Sequence, residues 1–248
     1  MVNSNNMKIG ILGNTGRMGQ TLMAEIAAME DVVLSGGADK DDDIEALIEA
    51  SDALIDFTAP LATLSFAEMN KKYNRTHIIG TTGFNDEEFA RLKSYATNTR
   101  IFWSPNMSIG VNLLNSLIEK AASILGDEYD IEIVEMHHRH KVDAPSGTAL
   151  AMGEAAARGR RIELKNKQVL SREGITGARA KGDIGFATLR GGSVIGDHTA
   201  IFAGDSDRIE LTHKSSSRAI YAQGAIRAAI WANTQPNGFY TMQDMLKL

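Results

Sequence analysis

The apolar positions of the first hundred residues fall into short compact runs separated by stretches with helical spacing. Residues 7–13 (MKIGILG) form a run that stops at glycine, which predicts a buried strand. Helical spacing follows at 17–29, then apolar runs at 32–35, 53–57, 77–79 and 101–103, with helical patterns at 62–73 and 86–97 between the later ones. Strands separated by helices cannot close as hairpins. The alternation therefore predicts a parallel sheet with right-handed crossovers, the doubly wound α/β architecture.

After Pro105 the pattern changes. A long amphipathic helix is predicted at 109–125, a strand at 130–137 with Ile131, Ile133 and Glu135 on one face, and a helix beginning near Ser146. Strand candidates at 184–190, 193–203 and 207–213 stand close together around Gly-Gly and Gly-Asp-Ser-Asp turns and read as antiparallel. A last helix at 218–232, with Ile220, Ala225, Ala229 and Ile230 among its apolar positions, is suited to pack back on the first domain. The expected fold is α/β: a Rossmann-like domain over 1–108 and 218–248, with an inserted α+β domain over 109–217. An open antiparallel sheet must hide an edge or a face, which predicts a homo-oligomer.

Composition narrows the function classes. With 43% hydrophobic residues, 23% charged residues and four prolines the chain is an ordinary globular protein. A net charge of −5 gives no overall field for nucleic acid or an anionic membrane, so neither is an expected partner and an anionic ligand needs a local basic cluster. The absence of cysteine removes disulfides, iron–sulfur ligation, thiolate zinc sites and a Cys nucleophile, and fits a reducing cytoplasm. The opening MVNSNN lacks a basic segment followed by an apolar one, and no run approaches bilayer length, so the chain reads as untargeted. Asp39–Asp43 reads as a solvated charged turn.

The turn Gly13, Asn14, Thr15, Gly16, Arg17, Met18, Gly19 joins the first strand to the first helix. Glycines there let the backbone approach a pyrophosphate, which the helix N-terminus then meets with unpaired N–H groups. Thr15 stands where the commonest dinucleotide fingerprint has its second glycine, and a glycine-rich turn without a ligand is the competing reading. Asp39, after the second strand, is placed to accept the adenosine ribose of NADH, while Lys40 and Arg17 could pair with the extra phosphate of NADPH. Plain surface charge is the alternative for those two cations.

The segment from Glu135 to Thr148 (EMHHRHKVDAPSGT) carries five consecutive residues able to hold positive charge, 137–141. Such a cluster needs compensating acids, and Glu135 and Asp143 compensate only partly. Directly downstream a helix opens with small residues at Ser146, Gly147 and Thr148, a second anion site. A ligand with two carboxylates could place one on the amides of Gly147 and Thr148 and the other near His138 and Lys141. His137 and Lys141 also suit proton transfer near neutral pH. Zinc or nickel on His137, His138 and His140 is a weaker reading, since His138 and His140 share a strand face while His137 points away. A solvated basic loop is the other alternative.

The run from His137 to Ala149 (HHRHKVDAPSGTA), with Gly13 to Gly19, resembles the 4-hydroxy-tetrahydrodipicolinate reductase family, formerly dihydrodipicolinate reductase, of bacterial lysine biosynthesis. The likeness extends through IDFT at 55–58, GTTG at 80–83, Asn106, SREG at 171–174, IGFA at 184–187 and THK at 212–214. It implies a Rossmann-like domain completed by the C-terminal helix, an inserted domain whose sheet builds a homotetramer, and NADH or NADPH as cofactor. Hydride would pass to C4 of a six-membered ring bearing two carboxylates, with the 4-hydroxyl lost as water, in the diaminopimelate route to lysine. By motif position His137 and Lys141 would transfer protons, and His138, Ser146, Gly147 and Thr148 would hold the carboxylates. Gly80, Thr81 and Thr82 would lie along the cofactor, with Thr82 also reaching the substrate, and Ser104, Pro105, Asn106 and Met107 would line the nicotinamide side. Two rivals stand beside this reading. A different nicotinamide enzyme would not need two anion sites, and a nucleotide-sensing regulator would need a DNA-binding segment that the pattern does not supply.

Overall fold

A computed structural model of the chain describes residues 6–248. The opening 1–5, part of the segment read above as untargeted, lies outside the described residues. Contacts divide the chain into two compact units, one running through Ile109 and resuming over Arg218–Leu248, the other spanning Gly110–Ser217.

The first unit begins Met7–Leu12 (β1), Arg17–Ala27 (α1), Val32–Ala38 (β2), Ile44–Ala50 (α2), Ala53–Asp56 (β3), Pro60–Asn70 (α3), Thr76–Ile79 (β4), Asp86–Ser94 (α4) and Arg100–Trp103 (β5). The apolar runs became strands because β3 and β4 are buried along their whole length, as a parallel sheet covered on both faces requires. The solvated turn predicted at Asp39–Asp43 instead ends in a cap, since the Asp43 carboxylate accepts the Ala46 N–H at 3.0 Å and starts α2.

The second unit takes in all but the first residue of Ile109–Leu125 (α5), then Asp130–His137 (β6), Gly147–Arg160 (α6), Gln168–Val169 (β7), Ile184–Arg190 (β8), Gly196–Ala203 (β9) and Arg208–Ser215 (β10). Its five strands run β10-β9-β6-β8-β7. One expectation is corrected here: β8 is not an antiparallel neighbour of β9. It pairs in parallel with β6, from Ile131 opposite Ile184 to His137 opposite Arg190, while β9 pairs antiparallel with the other edge of β6. The chain between β6 and β8 contains α6, a crossover long enough to return the strand in the same direction. Only β9 and β10 form the antiparallel pair expected of all three. Apolar side chains of α5 and α6 (Leu114, Ile118, Met152) pack with Ile131, Ile133, Ile184, Phe186 and Phe202 as this unit's core.

The chain then re-enters the first unit as Ala219–Ala232 (α7), Gly238–Tyr240 (β11) and Met242–Leu246 (α8). The first sheet is thus six-stranded and parallel, in the order β11-β5-β4-β3-β1-β2. Helix α7 fills one face: Ala222, Ala225, Ile226 and Ala229 are buried with Ile9, Ile55, Ile78 and Phe102. Close approach demands Gly224, where a Cβ would fall 1.8 Å from the Met107 carbonyl oxygen. Because β2 and β3 flank β1 on opposite sides, the carboxyl end of β1 is the sheet's topological switch point, where open α/β sheets bind ligands.

Candidate active site

At that switch point the chain turns with Gly13 at φ +74° and its N–H donated to the Ala38 carbonyl at 2.8 Å. A Cβ on Gly13 would meet Thr58 Cγ2 at 2.8 Å, and one on Gly19 would lie 2.4 Å from the Gly13 oxygen. Neither position accepts a side chain, so α1 starts directly beneath the turn with Gly16 as its N-cap and no acidic residue in its first turn. Uncapped N–H groups beside the exposed Arg17 suit an anion. A recess of about 290 Å³ opens here between Gly13, Gly16, Arg17, Met18, Phe57 and Arg218. Gly37, which the sequence reading missed, is a further close approach: its Cβ would fall 2.5 Å from that of Asn14.

Thr15 and Asp39 are brought together, the threonine hydroxyl donating to the carboxylate. That bond, with the Lys40 N–H at 2.9 Å, holds the Asp39 carboxyl below its ordinary range, so it remains an ionised acceptor. Lys40 is exposed beside it.

The loops after β3 and β4 are knit by one buried carboxylate. Asp56 accepts from the Thr58 N–H at 2.9 Å, the Thr58 hydroxyl at 2.6 Å and the Thr81 hydroxyl at 3.2 Å, with His77 Nε2 at 3.3 Å. Burial pushes its pKa up, but these donors, His77 foremost, outweigh burial and leave it lowered. Gly80 presses on Phe57, whose ring would lie 2.1 Å from any Cβ there. Trp103 Nε1 donates to the Thr81 carbonyl at 3.0 Å, and Thr82 beyond it is exposed. After β5 the Ser104 hydroxyl donates to the Asn106 carbonyl at 2.7 Å and Asn106 Oδ1 accepts the Ser108 N–H at 2.9 Å. Pro105 is exposed, whereas the Met107 side chain is buried in the core, so Met107 can offer a ligand backbone alone.

In the second unit β6 alternates, turning Ile131, Ile133, Glu135 and His137 inward. Glu135, 1% exposed, accepts from four donors: His137 Nδ1 at 2.5 Å, the Ser146 N–H at 3.1 Å, and Arg190 Nη1 and Nη2 each at 2.9 Å. Burial opposes its charge, yet Arg190 and then His137 hold its carboxyl below the ordinary range. His198, opposite Glu135 on β9, has its ring 4.9 Å from that of His137 and its Nε2 3.1 Å from Ser146 Oγ. Ser146 in turn caps α6 by accepting the Ala149 N–H at 3.1 Å, leaving Gly147 and Thr148 in the helix's first turn.

The basic cluster is compensated in part, as its charge count suggested, with acids set against His137 and Lys141. Glu135 takes His137 and Arg190, and Asp143 pairs with Lys141 Nζ at 2.8 Å. The strand stops at His137, so His138 and His140 belong to a turn rather than to a strand face. With Arg139, Gly192 and Ser193 they line a recess of about 590 Å³. Glu135, His137 and His198 present ligand atoms within 4.8 Å of one another. Both Glu135 oxygens are already occupied and face a guanidinium, so the trio is a hydrogen-bonded network in which a metal ion would meet Arg190. Arg190, His198 and Arg218 had no signal in the sequence, because each reaches its site only through strand pairing or chain return.

Residues 7–107 match the family model described as dihydrodipicolinate reductase, N-terminus, and residues 110–246 match that described as dihydrodipicolinate reductase, C-terminus. The chain belongs to the dihydrodipicolinate reductase family. It is 47% identical to the 4-hydroxy-tetrahydrodipicolinate reductase of Sinorhizobium medicae (strain WSM419), covering 98% of each chain, and 45% identical to that of Ralstonia pickettii (strain 12J), covering 98% of this chain and 100% of the other. Among solved structures it is similar to the dipicolinate-bound dihydrodipicolinate reductase from Paenisporosarcina sp. TG-14, at 26% identity and a TM-score of 0.79, covering 97% of this chain and 99% of that one. A probable dehydrogenase from Thermotoga maritima, at 14% identity and a TM-score of 0.56, shares the fold. Both features singled out from sequence, the glycine turn and the basic segment, therefore stand within matched parts of one reductase family.

Proposed function

We propose that this chain reduces 4-hydroxy-tetrahydrodipicolinate to tetrahydrodipicolinate with NADH or NADPH, releasing water, in the diaminopimelate route to lysine. The observation that carries this reading is the match of both halves of the chain to the reductase family. The glycine cradle fits a dinucleotide, since Gly13, Gly19 and Gly37 leave backbone open that any Cβ would close. Gly13, Asn14, Thr15, Gly16 and Met18 would hold the pyrophosphate, Asp39 the adenosine ribose, and Arg17 and Lys40 the extra phosphate of NADPH. Gly80, Thr81, Thr82, Ser104, Pro105, Asn106 and Met107 would border the nicotinamide, which when bound supplies the hydride.

In the second unit the capped N-terminus of α6 supports the assignment of Ser146, Gly147 and Thr148 to one substrate carboxylate, with His138 at the other. As the C4–O bond breaks, the departing hydroxyl takes a proton and leaves as water, and C4 takes the hydride. His137 and Lys141 are the two groups assigned to that proton transfer, one anchored by Glu135 and the other beside Asp143. Residues 1–108 with 218–248 are accordingly the dinucleotide-binding part, and 109–217 the substrate-binding part.

A steady-state assay with freshly generated substrate and each coenzyme tests the activity, and pyridine-2,6-dicarboxylate tests the double anion site. Turnover inhibited competitively by that diacid is expected. Turnover of an aldehyde or monocarboxylate, with indifference to the diacid, would move the chain to another nicotinamide reaction. A cytoplasmic homotetramer completes the proposal. Lack of cysteine supports the compartment, and the open outer edge of β10, with Ile209 38% exposed, supports self-association. Light scattering on the purified enzyme reads the subunit number. Among the described residues, no helix is long and apolar enough to cross a membrane.

A further inference from the structure

We propose that Glu135 is a positioning residue for proton transfer, its carboxylate fixing a proton on His137 Nδ1 so that Nε2 is the nitrogen that exchanges protons with substrate. The inference rests on the reading of His137 as a proton-transfer group and adds the side chain that governs it. An ionised carboxylate only accepts hydrogen bonds, so the 2.5 Å contact requires the proton on Nδ1. A neutral imidazole then presents a lone pair at Nε2, and an imidazolium presents a proton there. The carboxylate on Nδ1 accepts from both forms, so the ring keeps one orientation whether Nε2 takes a proton or gives one away.

The carboxylate itself cannot turn. Arg190 grips both oxygens, and the Ser146 N–H joins Nη2 on Oε1 while His137 joins Nη1 on Oε2. One buried group thereby sets the ring of His137 and the entrance to α6, the two halves of the proposed substrate site. The far side of the ring is kept open by Gly196, where a Cβ would approach Nε2 to 3.0 Å.

Glu135→Gln makes a sharp test, since it keeps the shape and exchanges one acceptor for a donor. With its oxygen at the Oε1 position it satisfies Ser146 N–H and Arg190 Nη2, and its NH2 then faces Nδ1. His137 must accept there and carry its proton on Nε2. Two-bond proton–nitrogen spectra of the histidine-labelled enzyme, with His137 assigned by loss of its signals in His137→Ala, read the tautomer directly. The expected result is an Nε2–H tautomer and a kcat lower by about 100-fold, with the dissociation constant for NADH unchanged.

Glu135→Gln leaves the Arg190 guanidinium without a counter-charge and its Nη1 without an acceptor, which can cost folding, so the double variant Glu135→Gln/Arg190→Met, which removes both charges, accompanies it. It is expected to fold, to show the same switched tautomer and to be equally slow. A folded variant that keeps the proton on Nδ1 and the parental kcat overturns the proposal. Full turnover by His137→Ala overturns the parent reading and this one together. A dead His137→Ala beside an unaffected Glu135→Gln overturns this one alone.

Discussion

His198 shows how far one buried side chain can govern acid stability. At 4% exposure, burial drives its pKa down to about 4, the neighbouring His137 adding to the shift while Glu135 partly opposes it. In the unfolded chain a histidine titrates near its ordinary value of about 6.5, so between there and about 4 the unfolded state binds a proton that the folded state refuses. The contribution is complete above about pH 6.5 and is lost as pH falls towards 4, reaching roughly 3 kcal/mol. Thermal unfolding followed from pH 7 down to 4 is expected to show this fall, and His198→Gln, which retains a donor for Ser146, to flatten it. An unchanged slope in the variant would assign the acid lability elsewhere. Arg17 and Lys40 carry a second prediction at this scale. Both are exposed beside the glycine turn and Asp39, where they can meet a 2′-phosphate but have no partner on a bare ribose. Replacing both by Ala should weaken NADPH about 10-fold or more and NADH much less, as read by coenzyme titration. Equal losses would leave them as general surface charge.

Helix α6 opens the substrate site proposed for the second unit. Its cap is a single hydroxyl that accepts from Ala149 N–H and also meets His198. Ser146→Ala removes the cap and is expected to cost about 1–2 kcal/mol of stability and to raise the substrate KM, with coenzyme affinity kept. Denaturant unfolding and initial rates check the two effects separately. The start of α6 was legible in the sequence because Ser146 precedes small helix formers, and most strands of the first unit were legible as apolar runs ended by turns. What failed did so for physical reasons. Helix α2 has seven residues, so Ile44, Leu47 and Ile48 give barely one period of signal beside a charged stretch that looks solvated. The direction of β8 could not be read from Ile184–Arg190, since a strand's own alternation carries no information about its partner. Without that pairing Arg190 had no reason to be set against Glu135, and half of the carboxylate's anchoring stayed invisible.

On the scale of the whole molecule, the two units have separate cores. One is built around Ile9, Ile55 and Phe102 with α7, the other around Ile131, Phe186 and Phe202 with α5 and α6. A ligand stabilises the structure that must be intact to bind it, by RT ln(1 + [L]/Kd), or about 2.7 kcal/mol at a hundredfold excess over Kd. Since the proposed coenzyme and diacid sites are assigned to different units, their protection should fall on different amides. Hydrogen exchange with NADH is expected to slow β1, the turn after it and α1 by about 100-fold, and exchange with pyridine-2,6-dicarboxylate to slow the end of β6 and the first turns of α6. Protection of α6 by NADH alone, equal to that of α1, would mean that the coenzyme orders the substrate cradle before substrate arrives. The division of labour between the units would then have to be replaced by a single cooperative site.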